Sequence, residues 1–207
     1  MGNPLFAGVY DWVLAPSEAA GLAARRRDLL ATATGAVLEV GAGTGLNLPH
    51  YPESATRLVL SDPDRFMRRK LATRARRLGR DVEIVDADAE RLPFLENTFD
   101  EVVATLVLCS VAARATSLHE IRRVLRPRGR LRFLEHVAAS RHGPSRLQHL
   151  VGPVHRTVAG GCRLDLALLD LLHAGGFAVE ACEEWELPRT VPWMRPAVVG
   201  LARAPGG

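Results

Sequence analysis

The sequence predicts an α/β protein built on a doubly wound sheet, and three observations carry that expectation. First, a short apolar run, Val37 to Val40, ends in three glycines spaced two apart, Gly41, Gly43 and Gly45. Second, strand-like apolar runs alternate with helical periodicity along most of the remaining chain, the pattern of helices packed on a mainly parallel sheet. Third, the chain closes on two successive strand-like runs, a hairpin-like pair at the end of the sheet.

In chain order, Asn3 to Ala15 carries Leu5, Phe6, Tyr10, Trp12, Val13 and Leu14, and Pro16-Ser17-Glu18 opens a second helical pattern to about Leu30. This helical preface, residues 1–30, is expected to lie across the glycine loop as a lid with Tyr10 on the substrate side; simple packing on the sheet edge competes with that reading. Val37 to Val40 reads as a buried parallel strand because it is continuously apolar apart from Glu39. Glycines just after such a strand allow positive φ and let a ligand approach bare backbone. A helix is expected soon after, with its free N–H groups and positive dipole end aimed at the loop.

Arg57 to Ser61 reads as the second strand, ending in Asp62-Pro63. An acid at that strand tip is where doubly wound folds hold the two ribose hydroxyls, and a carboxylate can accept both protons. Capping the helix that begins near Arg65 is the competing role, and Asp64 is placed to do that equally well. A basic helix to about Leu78 carries Phe66, Met67 and Leu71 at helical spacing, and Val82 to Val85 is the third strand. Thr98 to Leu106 is the fourth, running into Val107 to Val111 at the carboxyl end of the sheet, where ligands bind in open α/β folds. A helix from about Ala115 stops at Arg126-Pro127-Arg128-Gly129, and Leu131 to His136 is the fifth strand. Residues 139–162 break the alternation with Gly143, Pro144, Gly152, Pro153, Gly160 and Gly161, and read as a substrate cap. Leu164 to Ala174 is the last helix; Phe177 to Glu183 and Ala197 to Ala202 are the final strands.

Length and composition bound the answer. The 207 residues suit a single domain, and 47% hydrophobic with 24% charged residues match an ordinary globular chain. No apolar run approaches the ~20 residues of a membrane span, and the first 27 residues lack a signal-peptide layout. A cytoplasmic, bacterial-type enzyme without stable membrane insertion is the expectation, and the oligomeric state stays open. Cys109, Cys162 and Cys182 are too few and too scattered for a disulfide framework or a zinc site. The sequence pI is near 9.5, yet Lys70 is the only lysine. The arginine clusters at 25–27, 68–80 and 122–132 are read as solvated helix faces and ends, so no nucleic-acid partner is expected.

The glycine spacing decides between cofactors. The dinucleotide fingerprint wants a third glycine where Leu46 stands. That residue, with no Tyr-x-x-x-Lys pair, argues against a nicotinamide-linked oxidoreductase. Glu39-x-Gly41-x-Gly43-x-Gly45 resembles motif I of the class I S-adenosylmethionine-dependent methyltransferases, and Asp88-Ala89-Glu90-Arg91-Leu92-Pro93-Phe94 resembles the segment after their third strand. The resemblance runs from Leu38 almost to the end of the chain. It implies a Rossmann-like sheet of seven strands with S-adenosylmethionine as cofactor and S-adenosylhomocysteine as product. It also implies cofactor contacts from Glu39, Gly41, Ala42, Gly43, Gly45, Asn47, Asp62, Pro63, Met67, Asp88, Ala89, Glu90, Thr105 and Leu106, with Asp88 receiving the adenine amino group. An acidic loop that caps a helix is the competing role for Asp88.

A narrower set resembles the small-molecule thiol S-methyltransferases of the animal methyltransferase-like group: Thr105 to Val111, Phe133 to Ala138, Gly161-Cys162, and Arg195-Pro196-x-x-x-Gly200. The hydrophobic N-terminal anchor of those animal proteins has no counterpart in these residues. Gly43 to Pro52 also resembles bacterial phosphatidylethanolamine N-methyltransferases. The resemblance therefore implies methyl transfer to a small molecule, a thiol first; a phospholipid amine, another small-molecule O- or C-acceptor, or cofactor binding without transfer are the alternatives.

His136 is the candidate base, since its natural pKa suits the task and it ends a strand on the ligand side. A structural histidine bonded to backbone is the competing role. Cys109 and His155 are candidates for the substrate pocket, Cys109 as a small buried hydrophobe rather than a nucleophile. His119-Glu120 has no second ligand at metal spacing, and no metal is expected.

Overall fold

The computed structural model describes residues 3–138, 148, 150–152 and 161–206. Its centre is one seven-stranded sheet: β1 (Ala36–Val40), β2 (Arg57–Ser61), β3 (Glu83–Val85), β4 (Phe99–Thr105), β5 (Leu125–His136), β6 (Ala178–Glu186) and β7 (Pro196–Arg203). The strand order is β3-β2-β1-β4-β5-β7-β6. Strands β1 to β5 pair in parallel, and β7 runs antiparallel between β5 and β6. The order reverses between β1 and β4, which opens a crevice at their carboxyl ends. Val37, Leu38 and Val40 are fully buried, as a strand covered on both faces requires.

Its helices include α1 (Pro4–Ser17), α2 (Ala23–Leu30), α3 (Arg65–Leu78), α4 (Arg114–Val124) and α5 (Leu168–Ala174). On α3 the apolar stripe Met67, Leu71 and Ala75 is buried, set by the i, i+4 spacing of a helix face. Asp64 caps its start and Gly79, at φ 61°, ends it. Leu118, Ile121 and Val124 do the same work on α4.

Four expectations are corrected. Pro16 does not divide the preface; it sits in the last turn of α1, and the break falls in a π-helical segment, Glu18–Leu22, where Gly21 takes φ 137°. No α-helix follows the glycine loop: Pro49 and Pro52 are too close together to leave room for one, and only a 3₁₀ turn, Leu48–His50, forms. Helix-dipole stabilisation at the loop is therefore absent among the described residues. The fifth strand begins at Leu125, six residues early, with a register shift against β4 between Phe99 and Glu101. Arg128 takes φ 63° inside that shift, and Arg126 pairs there with Asp100. The last helix begins at Leu168 rather than Leu164.

The arginines are not uniformly solvated. Arg132 lies 2% exposed on β5, paired with the equally buried Glu101 and donating to the carbonyls of Leu29 and Thr32. It ties the end of α2 to the sheet. Leu22 and Leu29 pack beside Leu134, Ala197 and Val199 of β5 and β7. By contrast, Leu5 and Trp12 on α1 are four-fifths exposed. No described helix is long and apolar enough to cross a membrane.

Candidate active site

The glycine loop takes the backbone shape its residues predict. Gly41, Gly43 and Gly45 have φ of 62°, 57° and 81°, a region that disfavours residues with a Cβ. A Cβ on Gly41 would stand 2.2 Å from Val107 Cγ2, and one on Gly45 2.5 Å from Leu71 Cδ1. These two glycines are needed for close packing. Gly43 differs: a Cβ there would meet nothing nearer than Tyr10 Cε1 at 3.9 Å. The middle glycine turns its bare face into open space between the loop and α1.

Around that space the polar side chains are locked together. Glu39, 2% exposed, accepts from Asn47 Nδ2 at 2.9 Å and from the Tyr51 hydroxyl at 2.7 Å. Burial raises its carboxyl from 4.5 to about 7, against the opposing pull of those two hydrogen bonds. Asn47 Nδ2 also donates to Thr105 Oγ1 at 2.8 Å. Arg26, 3% exposed, donates to Asn47 Oδ1, Thr105 Oγ1 and Glu18. Tyr10, Arg26, Glu39, Thr44, Asn47 and Thr105 line one narrow recess. The sequence places Arg26 in a cluster expected to be solvated. Its helical position gave no warning, because the π-helical segment before α2 shifts the phase of the face turned inward.

Asp62 sits at the tip of β2, 7% exposed. Its two carboxylate oxygens accept the N–H groups of Gly43 and Asp64, each at 2.8 Å. Burial raises its pKa and these backbone bonds oppose the rise. Capping of α3 falls to Asp64, which accepts from Phe66 and Met67. Pro63 is exposed and Met67 buried. Asp88 is exposed and accepts the Glu90 N–H across a turn, with Ala89 buried beside it. Glu90 accepts the N–H of Ala113 at the start of α4, so it caps a helix. Ala42 is buried, its N–H donating to Ser61.

Helix α1 lies across this loop. Asp11 accepts from Thr44 Oγ1 at 2.5 Å and from Arg74 at 3.1 Å, and the Asn3 N–H reaches Asp64. The preface thus packs in two places, α1 against the loop and α2 on the β5–β7 side of the sheet.

After β4 the chain turns through Leu106, which takes φ 56° without being glycine, a strained state that surrounding structure must hold. Glu135 does so. It is fully buried and accepts the N–H groups of Val107, Leu108 and Cys109 at 2.9, 2.9 and 3.2 Å. Its place in the Phe133–Ala138 segment was legible, but its role was not, since only the tertiary structure sets three backbone donors opposite one carboxylate. His136 is 4% exposed, with Nδ1 3.6 Å from Cys162 Sγ and no hydrogen-bond partner for Nε2 among the described residues. Cys109 is buried and 3.6 Å from Cys162; that contact and burial raise its thiol well above the ordinary range. Scatter along the chain therefore does not separate Cys109 from Cys162, because the turn after β4 and the segment leading to Leu164 meet at one strand end. Only Cys182 stands apart and exposed. His155 and most of the 139–162 segment lie outside the described residues.

A sheet in this order with an antiparallel seventh strand, a glycine loop after β1 and acids on β1 and just after β2 and β3 defines a Rossmann-like binder of a nucleoside-bearing cofactor. The residues fit S-adenosylmethionine: an open glycine face, a strand-tip carboxylate for a diol, and a recess holding both signs of charge for an amino-acid group. Comparisons with known proteins agree. Residues 38–133 match the methyltransferase domain family. The human thiol S-methyltransferase TMT1A is 32% identical over 171 residues, covering 80% of this chain and 69% of the relative. Human TMT1B is 33% identical over 165 residues, covering 73% and 67%. A SAM-dependent methyltransferase from Methanosarcina mazei superposes with a TM-score of 0.69 at 21% identity, covering 84% of this chain and 94% of that one. Geranyl diphosphate methyltransferase, solved with SAM, gives 0.71 at 17%, covering 88% and 84%. The chain belongs to the class I S-adenosylmethionine-dependent methyltransferases.

Proposed function

We propose that this enzyme methylates a small-molecule thiol. The observation that carries the reading is the similarity to thiol S-methyltransferases across four-fifths of the chain. The chemistry of the site supports it. S-adenosylmethionine supplies an activated methyl group on sulfur, so the protein's task is alignment, worth about 7–11 kcal/mol when geometry is right. A thiol of pKa ~8.5 is already a few per cent ionised near neutrality and asks little of a base. His136 is 4% exposed and faces Cys162, so this reading does not depend on it as a base.

In this reading Asp62 accepts the ribose hydroxyls with the lone pairs left beyond its backbone bonds, and Gly43 with Ala42 gives the cofactor its backbone platform. Glu39, Asn47 and Thr105 hold the recess in shape, and Arg26 is the cation for the cofactor's carboxylate. Asp88 receives the adenine amino group, with Pro63, Met67, Ala89 and Leu106 as walls. Helix α1, through Tyr10 and Asp11, acts as the lid, and residues 139–162 as the substrate cap.

The test is transfer from isotope-labelled S-adenosylmethionine to short alkyl thiols, quinols and phosphatidylethanolamine, read by mass spectrometry. A labelled thioether is the expected product. Label confined to lipid or quinol refutes the thiol reading, and bound cofactor without any transfer refutes catalysis of this class.

A further inference from the structure

The cluster where the ends of β4 and β5 meet the segment after residue 160 is a second feature, separate from the glycine-loop recess. Cys162 Sγ lies 3.6 Å from Cys109 Sγ and 3.6 Å from His136 Nδ1, and the donor atoms of all three residues fall within 4.8 Å of one another. The residues are 1%, 4% and 5% exposed in the order Cys109, His136, Cys162. We propose that Cys109, His136 and Cys162 form a three-ligand site for a zinc ion.

The spacing fits the ion. With Zn–S near 2.3 Å and Zn–N near 2.0–2.1 Å, tetrahedral angles put two sulfurs about 3.8 Å apart and sulfur and nitrogen about 3.5 Å apart. Both observed 3.6 Å separations come close to those edges. The donor types fit as well, since thiolate and imidazole select zinc over magnesium or calcium. Charge fits the burial: two thiolates and one dication sum to zero, and a neutral group avoids the penalty of an unpaired buried charge. A disulfide needs its sulfurs near 2.05 Å, so the pair stands as two separate thiols.

The ligands are held in place by other bonds. The Glu135 carboxylate accepts the Cys109 N–H. The Arg163 N–H donates to the Cys109 carbonyl at 2.9 Å, which fixes the residue after Cys162. Gly161 has φ 91°, and a Cβ on it would stand 3.2 Å from the Ser110 carbonyl, so the backbone beside Cys162 sits tight against the turn after β4. Among the described residues nothing hydrogen-bonds the His136 ring at Nε2 to hold it elsewhere. Binding is balanced by proton release: each thiol gives its proton to solvent and its sulfur lone pair to zinc, and two protons leave for each ion. Three protein ligands leave one tetrahedral position for an exogenous donor. That this donor is the acceptor thiolate rests on the proposed thiol methylation; the metal site itself does not.

The full chain, reduced with a phosphine and stripped by chelator, is titrated with Zn²⁺ and separately with Co²⁺ as a spectroscopic probe, without S-adenosylmethionine. The expected result is one ion per chain, two protons released per zinc in weak buffer, and a tetrahedral cobalt spectrum with thiolate charge-transfer bands. Cys162→Ala and Cys109→Ser should drop metal content to background, and Cys182→Ala should keep it in full. The wild-type cobalt spectrum keeps the test decisive if a variant fails to fold. Absence of bound metal in the reduced wild type, equal loss in Cys182→Ala, or a cobalt spectrum without thiolate bands overturns the site. A Cys109–Cys162 disulfide found in place of metal after purification without reductant, with no uptake on reduction, overturns it too.

Discussion

Replacing Glu39 by glutamine should make the protein more stable at alkaline pH and change it little under acid conditions. The carboxyl is 2% exposed, and burial raises it from 4.5 to about 7. A folded-state pKa above the unfolded one means that the proton favours the folded chain. The stability it contributes is full below pH 4.5 and is lost as pH rises through 7. Each unit is worth about 1.4 kcal/mol, so the gap amounts to about 3 kcal/mol. Glutamine cannot ionise. Its carbonyl can accept from Asn47 while its amide donates to the Tyr51 hydroxyl, which then turns from donor to acceptor. Urea unfolding of both proteins from pH 4.5 to 8.5 should show curves that diverge by about 3 kcal/mol, or about 6–12 °C in Tm for a chain of this size. Because both proteins carry the same other titrating groups, the difference isolates Glu39. Curves that run parallel across that range would refute the claim that this carboxyl is buried at a cost.

Three further outcomes follow from the same geometry. Arg132→Leu should cost about 3–5 kcal/mol because it strands the buried Glu101, and adding Glu101→Leu should recover much of that loss in denaturant unfolding. Gly43→Ala should cost only about 1 kcal/mol in stability, the penalty of a left-handed backbone at an otherwise open position. The same variant should weaken S-adenosylmethionine binding by an order of magnitude or more in calorimetry, since the methyl enters the space the cofactor would fill; unchanged affinity would remove Gly43 from the platform. Asp62→Asn should lower cofactor affinity by about 10–100-fold, the range of a charge-assisted hydrogen bond of about 1.5–3 kcal/mol. A cofactor analogue lacking the ribose hydroxyls should bind wild type and variant alike.

Much of the fold was legible because its signals are local. Continuous apolar runs mark strands buried on both faces, so β1, β2 and β4 stand where the sequence places them. The alternation between them prescribes a doubly wound sheet, and the glycine spacing prescribes a positive-φ loop whatever surrounds it. Asp62 at the tip of β2 was placed by the same local logic. The expected helix after the loop does not form because Pro49 and Pro52 override the apolar spacing there. The preface break was misplaced because Pro16 completes a turn that Gly21 then interrupts.

What the chain order by itself determined is the sheet, its crevice and the loop that faces it, since these depend on periodicity and on backbone freedom at single residues. Only the tertiary structure decided which side chains come together around the strand ends. Arg26 turns inward from a cluster of three arginines, Glu135 closes on three backbone donors, and Cys162 arrives beside Cys109 and His136 from far along the chain. Each of those meetings is a long-range contact, fixed by how strands pair and helices pack. No window of sequence contains both partners.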